Sequence, residues 1–280
     1  MENTESIKVK ESSSSNKNKS KYVLEFITEK IFMISAFVAV ISLLLIIGFV
    51  FYKGLMPFAT EGYSFIDFIF GTEWLPSSKE FGIGAMIVTS MVATVGALII
   101  GVPIGILAAI FIAEIYPKKY ARVISTAVEL LAGIPSVLYG IFGLAVIVPA
   151  IQTVLSLPKG QSLLAVIIVL AIMMLPTIIS LSETSIRAVP KAYKEGSLAL
   201  GASKIETIFK VIVPAAKSGI LAGVILGIGR ALGETMAVIL VAGNSTAMPT
   251  SLLDSARPLT TNIALEMGYA AGTHQEMLFA

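Results

Sequence analysis

The 280-residue sequence contains no cysteine, a single histidine and few charged residues. The absence of cysteine excludes disulfides and thiol chemistry, and His274 alone cannot form a multi-histidine metal site. Charged residues make up only 14% of the chain and apolar residues 56%, a balance that disfavours an ordinary soluble domain. The net charge of +2 gives no indication of a nucleic-acid partner. Composition therefore predicts a membrane protein with several spans.

The sequence also lacks the G-x-x-x-x-G-K-[ST] loop that binds nucleotide phosphates. A chain without this loop is not expected to hydrolyse ATP itself. The prediction is a non-catalytic membrane protein without a cofactor or metal of its own.

Apolar stretches of about twenty residues or more predict transmembrane helices. The predicted spans cover residues 31–51, 83–113, 123–148, 163–181 and 215–242. The predicted fold class is therefore an all-α polytopic membrane protein, with a membrane domain over residues 23–280. Residues 1–22 are polar and rich in serine and lysine, which predicts a disordered tail rather than a signal peptide.

Lysine and arginine alternate between loops and predict the orientation. Residues 1–30 carry six, the turn 114–122 three and the loop 183–218 six, whereas the intervening loops carry four in total. Basic residues favour the cytoplasmic side of a membrane. The prediction places the N-terminus and these basic loops in the cytoplasm, with the chain in the cytoplasmic (inner) membrane.

The longest polar interruption contains residues 195–214, EGSLALGASKIETIFKVIVP, which we call the elbow. Gly201 is placed to end one short helix in a left-handed conformation, and Ser203 with Glu206 forms a capping box that begins a second. Pro214 is predicted to end that second helix. An ordinary amphipathic loop is one interpretation, and a docking surface for another protein is the other.

The elbow resembles the EAA loop of ABC importer permeases, in which Glu-Ala-Ala, Gly and Ile-x-Leu-Pro recur at fixed offsets. This chain has Glu195, Gly196 and Ser197, then Gly201, then Val211-x-Val213-Pro214 at the matching positions. Glycine and serine replace the two alanines, which weakens the first helix by about 1 kcal/mol for the glycine. The resemblance implies that residues 183–214 form a coupling loop, with Glu195, Gly196, Ser197, Gly201 and Pro214 contacting an ATPase.

The fifth predicted span combines small residues with charge. Gly219, Gly223 and Gly227 recur every four residues, a pattern that lets helices pack closely, and Arg230 and Glu234 continue this spacing. On one continuous helix the five residues would share a face. The charged pair is then either an ion pair that joins helices or a charged site on the wall of a substrate pathway.

Further stretches resemble the PstC family of phosphate permeases. They are FGTEWLP, LAGIPSVLYG, GRALGETMAVILVAGN and PLTTNIALEMGYAAGTHQE, and they extend from Phe68 to Glu276. The resemblance implies a type I ABC importer fold and import of inorganic phosphate. It also implies a PstA-like second permease, two PstB-like ATPase subunits that would bind ATP and Mg²⁺, and a PstS-like extracytoplasmic phosphate-binding protein. Family members have six spans, so the sequence is expected to stop before a sixth, near Met277–Ala280.

Other functions remain open at this point. A permease for another oxyanion would have the same organisation. An ion-coupled secondary transporter or a channel would need no ATPase, but neither an inverted repeat nor a filter-like sequence is evident. A signalling scaffold is a further class, and no residue favours or excludes it.

Overall fold

A computed structural model describes residues 2–280 of the chain, and of residues 2–21, 23 and 118 it describes the backbone alone. The structure is almost entirely helical. The helices are α1 Glu2–Thr60, α2 Phe65–Phe70, α3 Gly84–Ile110, α4 Lys118–Ala132, α5 Ser136–Phe142, α6 Val148–Val154, α7 Leu163–Arg187, α8 Lys191–Ala199, α9 Lys204–Thr207, α10 Val213–Ala215, α11 Lys217–Gly233, α12 Met236–Val241, α13 Leu259–Glu266 and α14 Thr273–Phe279. Strands β1 Trp74–Leu75 and β2 Glu80–Phe81 form an antiparallel hairpin.

Short π-helical segments continue three of these helices. They are Phe111–Ile115 after α3, Gly143–Ile147 between α5 and α6, and Ile208–Ile212 between α9 and α10. A π-helical turn shifts the backbone hydrogen bonds and frees individual carbonyl groups, and such turns often lie at functional sites.

The chain divides into two compact units, one formed by residues up to Gly62 with Gln275–Ala280 and the other by Tyr63–His274. In the first unit, Lys53 Nζ lies 3.4 Å from Glu276 Oε1, and the rings of Phe49 and Phe279 meet edge to face. The helix α1 begins at Glu2, where a disordered tail over residues 1–22 was predicted. A polar segment can extend an existing helix because propagation costs far less than nucleation.

Within residues 2–280, four helical stretches are long and apolar enough to cross a membrane. They are Leu24–Thr60, Gly84–Ile115, Ser136–Val154 and Leu163–Arg187. A fifth exists if Lys204–Ala215 and Lys217–Gly233, which meet at 69°, count as one bent span. The first, second and fourth agree with the predicted spans, although α7 continues six residues beyond Leu181.

The predicted third span, residues 123–148, is wrong. The helix α4 ends at Ala132, and a new helix begins after Pro135. Proline has no amide hydrogen and disfavours the helical conformation in the residue before it, which is Ile134. The apolar helix is therefore Ser136–Val154, preceded by the separate, amphipathic α4.

The core of the second unit is α7, packed between α3 and α11. Glycines on α3 allow the close approach: a methyl group on Gly101 would lie 2.7 Å from Met174 Sδ, and one on Gly105 would lie 2.8 Å from Ile178 Cγ2. Both distances are too short for real contacts. Ile178 is completely buried as a result. The glycines of α3 therefore allow it to pack closely against α7.

Candidate functional site

The first helix of the elbow ends as the sequence predicts. Gly201 has a φ of +89°, in the left-handed region that glycine adopts without strain. Its N–H donates to the carbonyl of Leu198 at 3.0 Å, and the N–H of Ala202 donates to that of Ser197 at 3.2 Å. This pair of bonds is a Schellman motif, which satisfies carbonyl groups at the end of a helix.

The second helix of the elbow begins with the predicted capping box. The N–H of Glu206 donates to Ser203 Oγ at 3.2 Å, and the N–H of Ser203 donates to Glu206 Oε2 at 3.1 Å. A hydrogen bond of 2.9 Å between Ser197 Oγ and Thr207 Oγ1 joins the two helices. The elbow is therefore held at a fixed angle by local contacts.

The predicted end of the second helix at Pro214 differs in the structure. The helix continues to Ala215 and bends at Ala216. Proline leaves the carbonyl one turn earlier without a donor, and the π-helical segment Ile208–Ile212 lies in that turn. Pro214 itself is exposed within α10.

Apolar side chains on the elbow remain uncovered. Leu200 is 91% exposed, and four other large apolar side chains on and beside the two helices are at least 42% exposed. These four are Tyr193, Leu198, Ile205 and Phe209. Glu195 and Gly196 are exposed as well. An exposed apolar surface of this kind is typical of a protein–protein contact.

The glycines of α11 lie against α7. A methyl group on Gly219 would overlap the side chain of Ser185, and one on Gly223 would lie 3.1 Å from Leu181 Cβ. At Gly227 the distance would be 3.2 Å, to Ile178 Cγ1. The three residues thus lie where α11 and α7 approach most closely.

The predicted common face of Arg230 and Glu234 is wrong, because the span over residues 215–242 is broken. Helix α11 ends at Gly233, Glu234 has extended backbone, and α12 begins at Met236. The carboxylate of Glu234 instead accepts the N–H of Ala237 at 3.1 Å, and it thus satisfies a free donor at the start of α12. In the described part of the chain, no ion pair within 4 Å joins Arg230 to Glu234.

Two helix breaks precede helices that pack against each other in this region. One separates α4 from α5 at Gly133–Pro135, and the other separates α11 from α12 at Glu234–Thr235. Helices α5 and α12 cross so closely that a methyl group on Gly140 would lie 2.7 Å from Ala237 Cα. Non-helical backbone at membrane depth is tolerated where it is buried in protein or lines a water-filled path.

Arg230 lies one turn before the second break and is half-buried. Its guanidinium makes no hydrogen bond or ion pair with the residues that the structure describes. Five N–H donors in a planar fork are thereby left to bind an oxyanion such as phosphate or carboxylate. The arrangement leaves a guanidinium with free donors one turn before a helix break.

Sequence analysis missed a buried carboxylate, Glu266, at the end of α13. Trp74 Nε1 donates to its Oε2 at 2.7 Å, Arg257 Nη1 donates to its Oε1 at 2.7 Å, and His274 Nε2 lies 2.8 Å from Oε2. Trp74 is 3% exposed, so its indole is buried beside this carboxylate. All four residues fall near or within stretches that resemble PstC, and that resemblance was the available signal.

A second missed group lies beside the elbow, around Glu183. Its carboxylate accepts from Ser125 Oγ at 2.8 Å and from Arg187 Nε at 2.8 Å. Arg187 Nη2 also donates to the carbonyl of Ile112 at 3.1 Å. These contacts join α4, α7 and the π-helical end of α3.

Fold and site together define the class: a helical membrane protein with a structured elbow and broken helices is typical of the membrane subunit of a transporter. The family model for binding-protein-dependent transport system inner membrane components matches residues 101–273. The chain belongs to this family.

Curated relatives and a solved structure agree with this assignment. The probable ABC transporter permease protein YqgH of Bacillus subtilis is 45% identical over 78% of this chain and 71% of its own. The phosphate transport system permease protein PstC of Mesorhizobium japonicum is 37% identical over 88% and 81%. The MetNI methionine ABC transporter in inward-facing conformations covers 70% of this chain and 84% of its own at a TM-score of 0.50 and 21% identity. The fold is that of a type I ABC importer permease.

Proposed function

We propose that this chain is the permease subunit of an ATP-driven importer of inorganic phosphate. The observation that carries the substrate assignment is the likeness to PstC permeases over most of the chain, 37% identity over 88% in one case and 38% over 76% in the relative from Haemophilus influenzae. The unpaired guanidinium of Arg230 supports it, because such a fork binds phosphate oxygens through paired hydrogen bonds.

Arg230 and Glu234 are the proposed substrate-pathway residues, with different tasks. Arg230 offers the positive charge, and Glu234 holds the start of α12 in place. The break next to Arg230 exposes backbone that a hydrated anion can approach. Because the two side chains form no ion pair, the reading of the pair as a structural link between helices loses its support.

The elbow is the proposed contact with the ATPase, through Glu195, Gly196, Ser197, Gly201 and Pro214. Its support is the exposed apolar surface on a rigid pair of helices, at the offsets of the EAA loop. We place the elbow and the N-terminus in the cytoplasm because these two segments are rich in basic residues, which favour the cytoplasmic side of a membrane. ATP and Mg²⁺ are bound by the partner in this proposal. The further partners are a PstA-like permease, two PstB-like ATPases and a PstS-like binding protein.

Uptake by the assembled importer tests this function. The chain is purified from its host membrane with the subunits that accompany it and reconstituted into vesicles with the binding protein. We expect ATP-dependent accumulation of radiolabelled phosphate that excess phosphate abolishes and excess sulfate does not. A protonophore or sodium ionophore should leave uptake unchanged.

Three results would overturn parts of the proposal. Competition by sulfate or molybdate at equal concentration would assign another oxyanion. Loss of uptake with the ionophore and not with removal of ATP would assign an ion-coupled transporter. Absence of any co-purifying ATPase would remove the elbow's proposed partner.

The elbow is tested separately by Gly201→Val. A β-branched residue opposes a φ of +89°, whereas the space around Gly201 is open, so the substitution strains the turn without a steric clash. We expect the variant to insert into the membrane normally and to lose the ATPase during purification. Gly268→Val, in equally open space after α13 and outside the elbow, is the control for added bulk. Equal ATPase recovery from Gly201→Val and the parent chain would contradict the assignment.

A further inference from the structure

Glu183 is buried at the end of α7 that leads into the elbow. It is 8% exposed, and its carboxylate is shared by Ser125 on α4 and Arg187 one turn later on α7. A buried carboxylate is costly unless it is well paired, so its position is defined by these donors. Glu183 therefore fixes the orientation of the Arg187 side chain.

Arg187 in turn connects α7 to α3. Its Nη2 donates to the carbonyl of Ile112, which lies in the π-helical segment Phe111–Ile115. In a regular helix this carbonyl would be bonded within the helix, and the shifted bonding of the π-helical turn leaves it accessible. The same segment carries Glu114, which forms an ion pair with Lys194 on α8. One turn thus receives contacts from the end of α7 and from the first helix of the coupling loop.

We propose that Glu183 is a positioning residue for coupling: through Arg187 it holds the π-helical end of α3 against α7, so that movement of α8 reaches the spans. This inference rests on the proposed function, because movement of α8 is assigned to the ATPase. Without the Glu183 contact, α8 keeps its ion pair to Glu114 and its contacts within the elbow, but Arg187 no longer holds the π-helical turn of α3 against α7. Its displacement would then be lost locally instead of moving α3 and α4.

The coupling ratio, phosphate imported per ATP hydrolysed, tests this role in the assembled importer. Glu183→Gln keeps the shape and loses the charge that holds Arg187. We expect the ratio to fall by at least about fivefold, the lower range of coupling effects between sites. The KM for phosphate and the amount of assembled complex should be unchanged. Glu183 is distant from Arg230 in the sequence, and the two residues share no contact. Thr184→Ala is the matched control, because the hydroxyl of Thr184 is exposed and bonds only to the carbonyl of Ser180.

A double-mutant cycle tests whether Glu183 acts through Arg187. Glu183→Gln and Arg187→Gln together should lower the ratio no further than either alone, because both break the same contact. Additive losses would overturn the proposal. An unchanged ratio in Glu183→Gln would overturn it too, as would a loss of complex with the ratio intact. Ser125→Ala, which leaves the carboxylate paired with Arg187, should give an intermediate ratio even if Glu183→Gln assembles poorly.

A spin-label distance separates failure of this inference from failure of the proposed function. The chain has no cysteine, so labels can be placed at Ala199 on α8 and Val123 on α4, both exposed, without a background. We expect Glu183→Gln, and not Thr184→Ala, to broaden the distance distribution, whatever substrate is transported. A parent importer that moves no phosphate would refute the proposed function. Unchanged distances in Glu183→Gln would refute the positioning role.

Discussion

Two charged side chains of the second unit, Glu266 and Arg230, differ in how many hydrogen-bond partners they have. Glu266 is 6% exposed, and each of its carboxylate oxygens is bonded to a neighbouring side chain. Arg257 is bonded in turn to Asn262 and to the carbonyl of Asn244. Arg230 is half-buried and has no such partner among the residues described. The carboxylate of Glu266 is saturated, in that both oxygens are hydrogen-bonded, whereas the guanidinium of Arg230 has free donors.

This difference separates stability from binding. A buried charge with a complete set of partners has no remaining capacity for a ligand, and removing one partner leaves another charge unpaired. An unpaired guanidinium costs stability and keeps its donors available. Mutations in the Glu266 cluster should therefore act on folding, and mutations at Arg230 on transport.

The largest expected effect is that of Glu266→Ala. It leaves the half-buried Arg257 without its carboxylate, and it should lower the free energy of unfolding by about 3–5 kcal/mol. Chemical or thermal unfolding of the detergent-solubilised chain measures this loss. Glu80→Ala, an exposed glutamate on β2, should change stability by no more than about 0.5 kcal/mol. Equal effects of the two variants would show that the cluster is not a stabilising unit.

Trp74→Phe removes one donor from the same carboxylate. A hydrogen bond to a charged group contributes about 1.5–3 kcal/mol, so the variant should lose stability in that range. The same substitution in the Glu266→Ala background should cost less by about 1 kcal/mol or more, because the acceptor is absent. An identical cost in both backgrounds would mean that ring packing alone explains the effect.

Local features of this fold could be predicted from sequence, and the long-range pairs could not. Gly201 and the Ser203–Glu206 capping box follow from spacing, because helix caps depend on neighbouring residues. Glu266 binds Trp74, which is 192 positions away, and no periodicity encodes such a contact. The resemblance to PstC marked both stretches without indicating that they meet.

The helix breaks show where the apolar pattern of the sequence predicts the bounds of a span wrongly. Hydropathy treats residues 215–242 as one span because Val, Ile, Leu and Ala continue on both sides of Gly233. The backbone nevertheless breaks at Glu234, whose carboxylate satisfies the N–H of Ala237 in the next helix. Pro135 gave a stronger local signal for the break between α4 and α5. Each break replaces regular helical hydrogen bonds with local contacts that hydropathy does not register.

The expectation that Arg230 acts on transport and not on folding is tested by Arg230→Lys. Lysine keeps the charge and loses the planar fork, so we expect phosphate uptake to fall by about tenfold, equivalent to about 1.4 kcal/mol. Stability should stay within about 0.5 kcal/mol of the parent chain, because Arg230 has no partner to lose. Arg122→Lys, an exposed arginine on α4, is the control and should transport normally.

Two outcomes would contradict the role proposed for Arg230. A loss of stability like that of Glu266→Ala would show that Arg230 is held by contacts in the assembled importer. Uptake at the parent rate would remove Arg230 from the substrate pathway. Glu234→Gln is a further variant that removes the neighbouring negative charge. Its amide oxygen can still accept the N–H of Ala237, so the importer should still assemble.

The smallest effect is expected at Asp254, a carboxylate in an exposed loop whose Oδ2 accepts three hydrogen bonds. Hydrogen bonds from the backbone N–H and hydroxyl of Thr250, and from the N–H of Ser251, hold the pKa of Asp254 below its usual value of 3.8. A carboxyl with a lowered folded pKa contributes stability that is complete above the unfolded value and is lost as pH falls through the folded value. The parent should therefore be more stable than Asp254→Asn above about pH 5, and the gap should close below pH 3.8. Melting temperatures of both chains from pH 7 to pH 3 measure it. A gap that stays constant to pH 3 would show that these loop hydrogen bonds do not depend on the charge of Asp254.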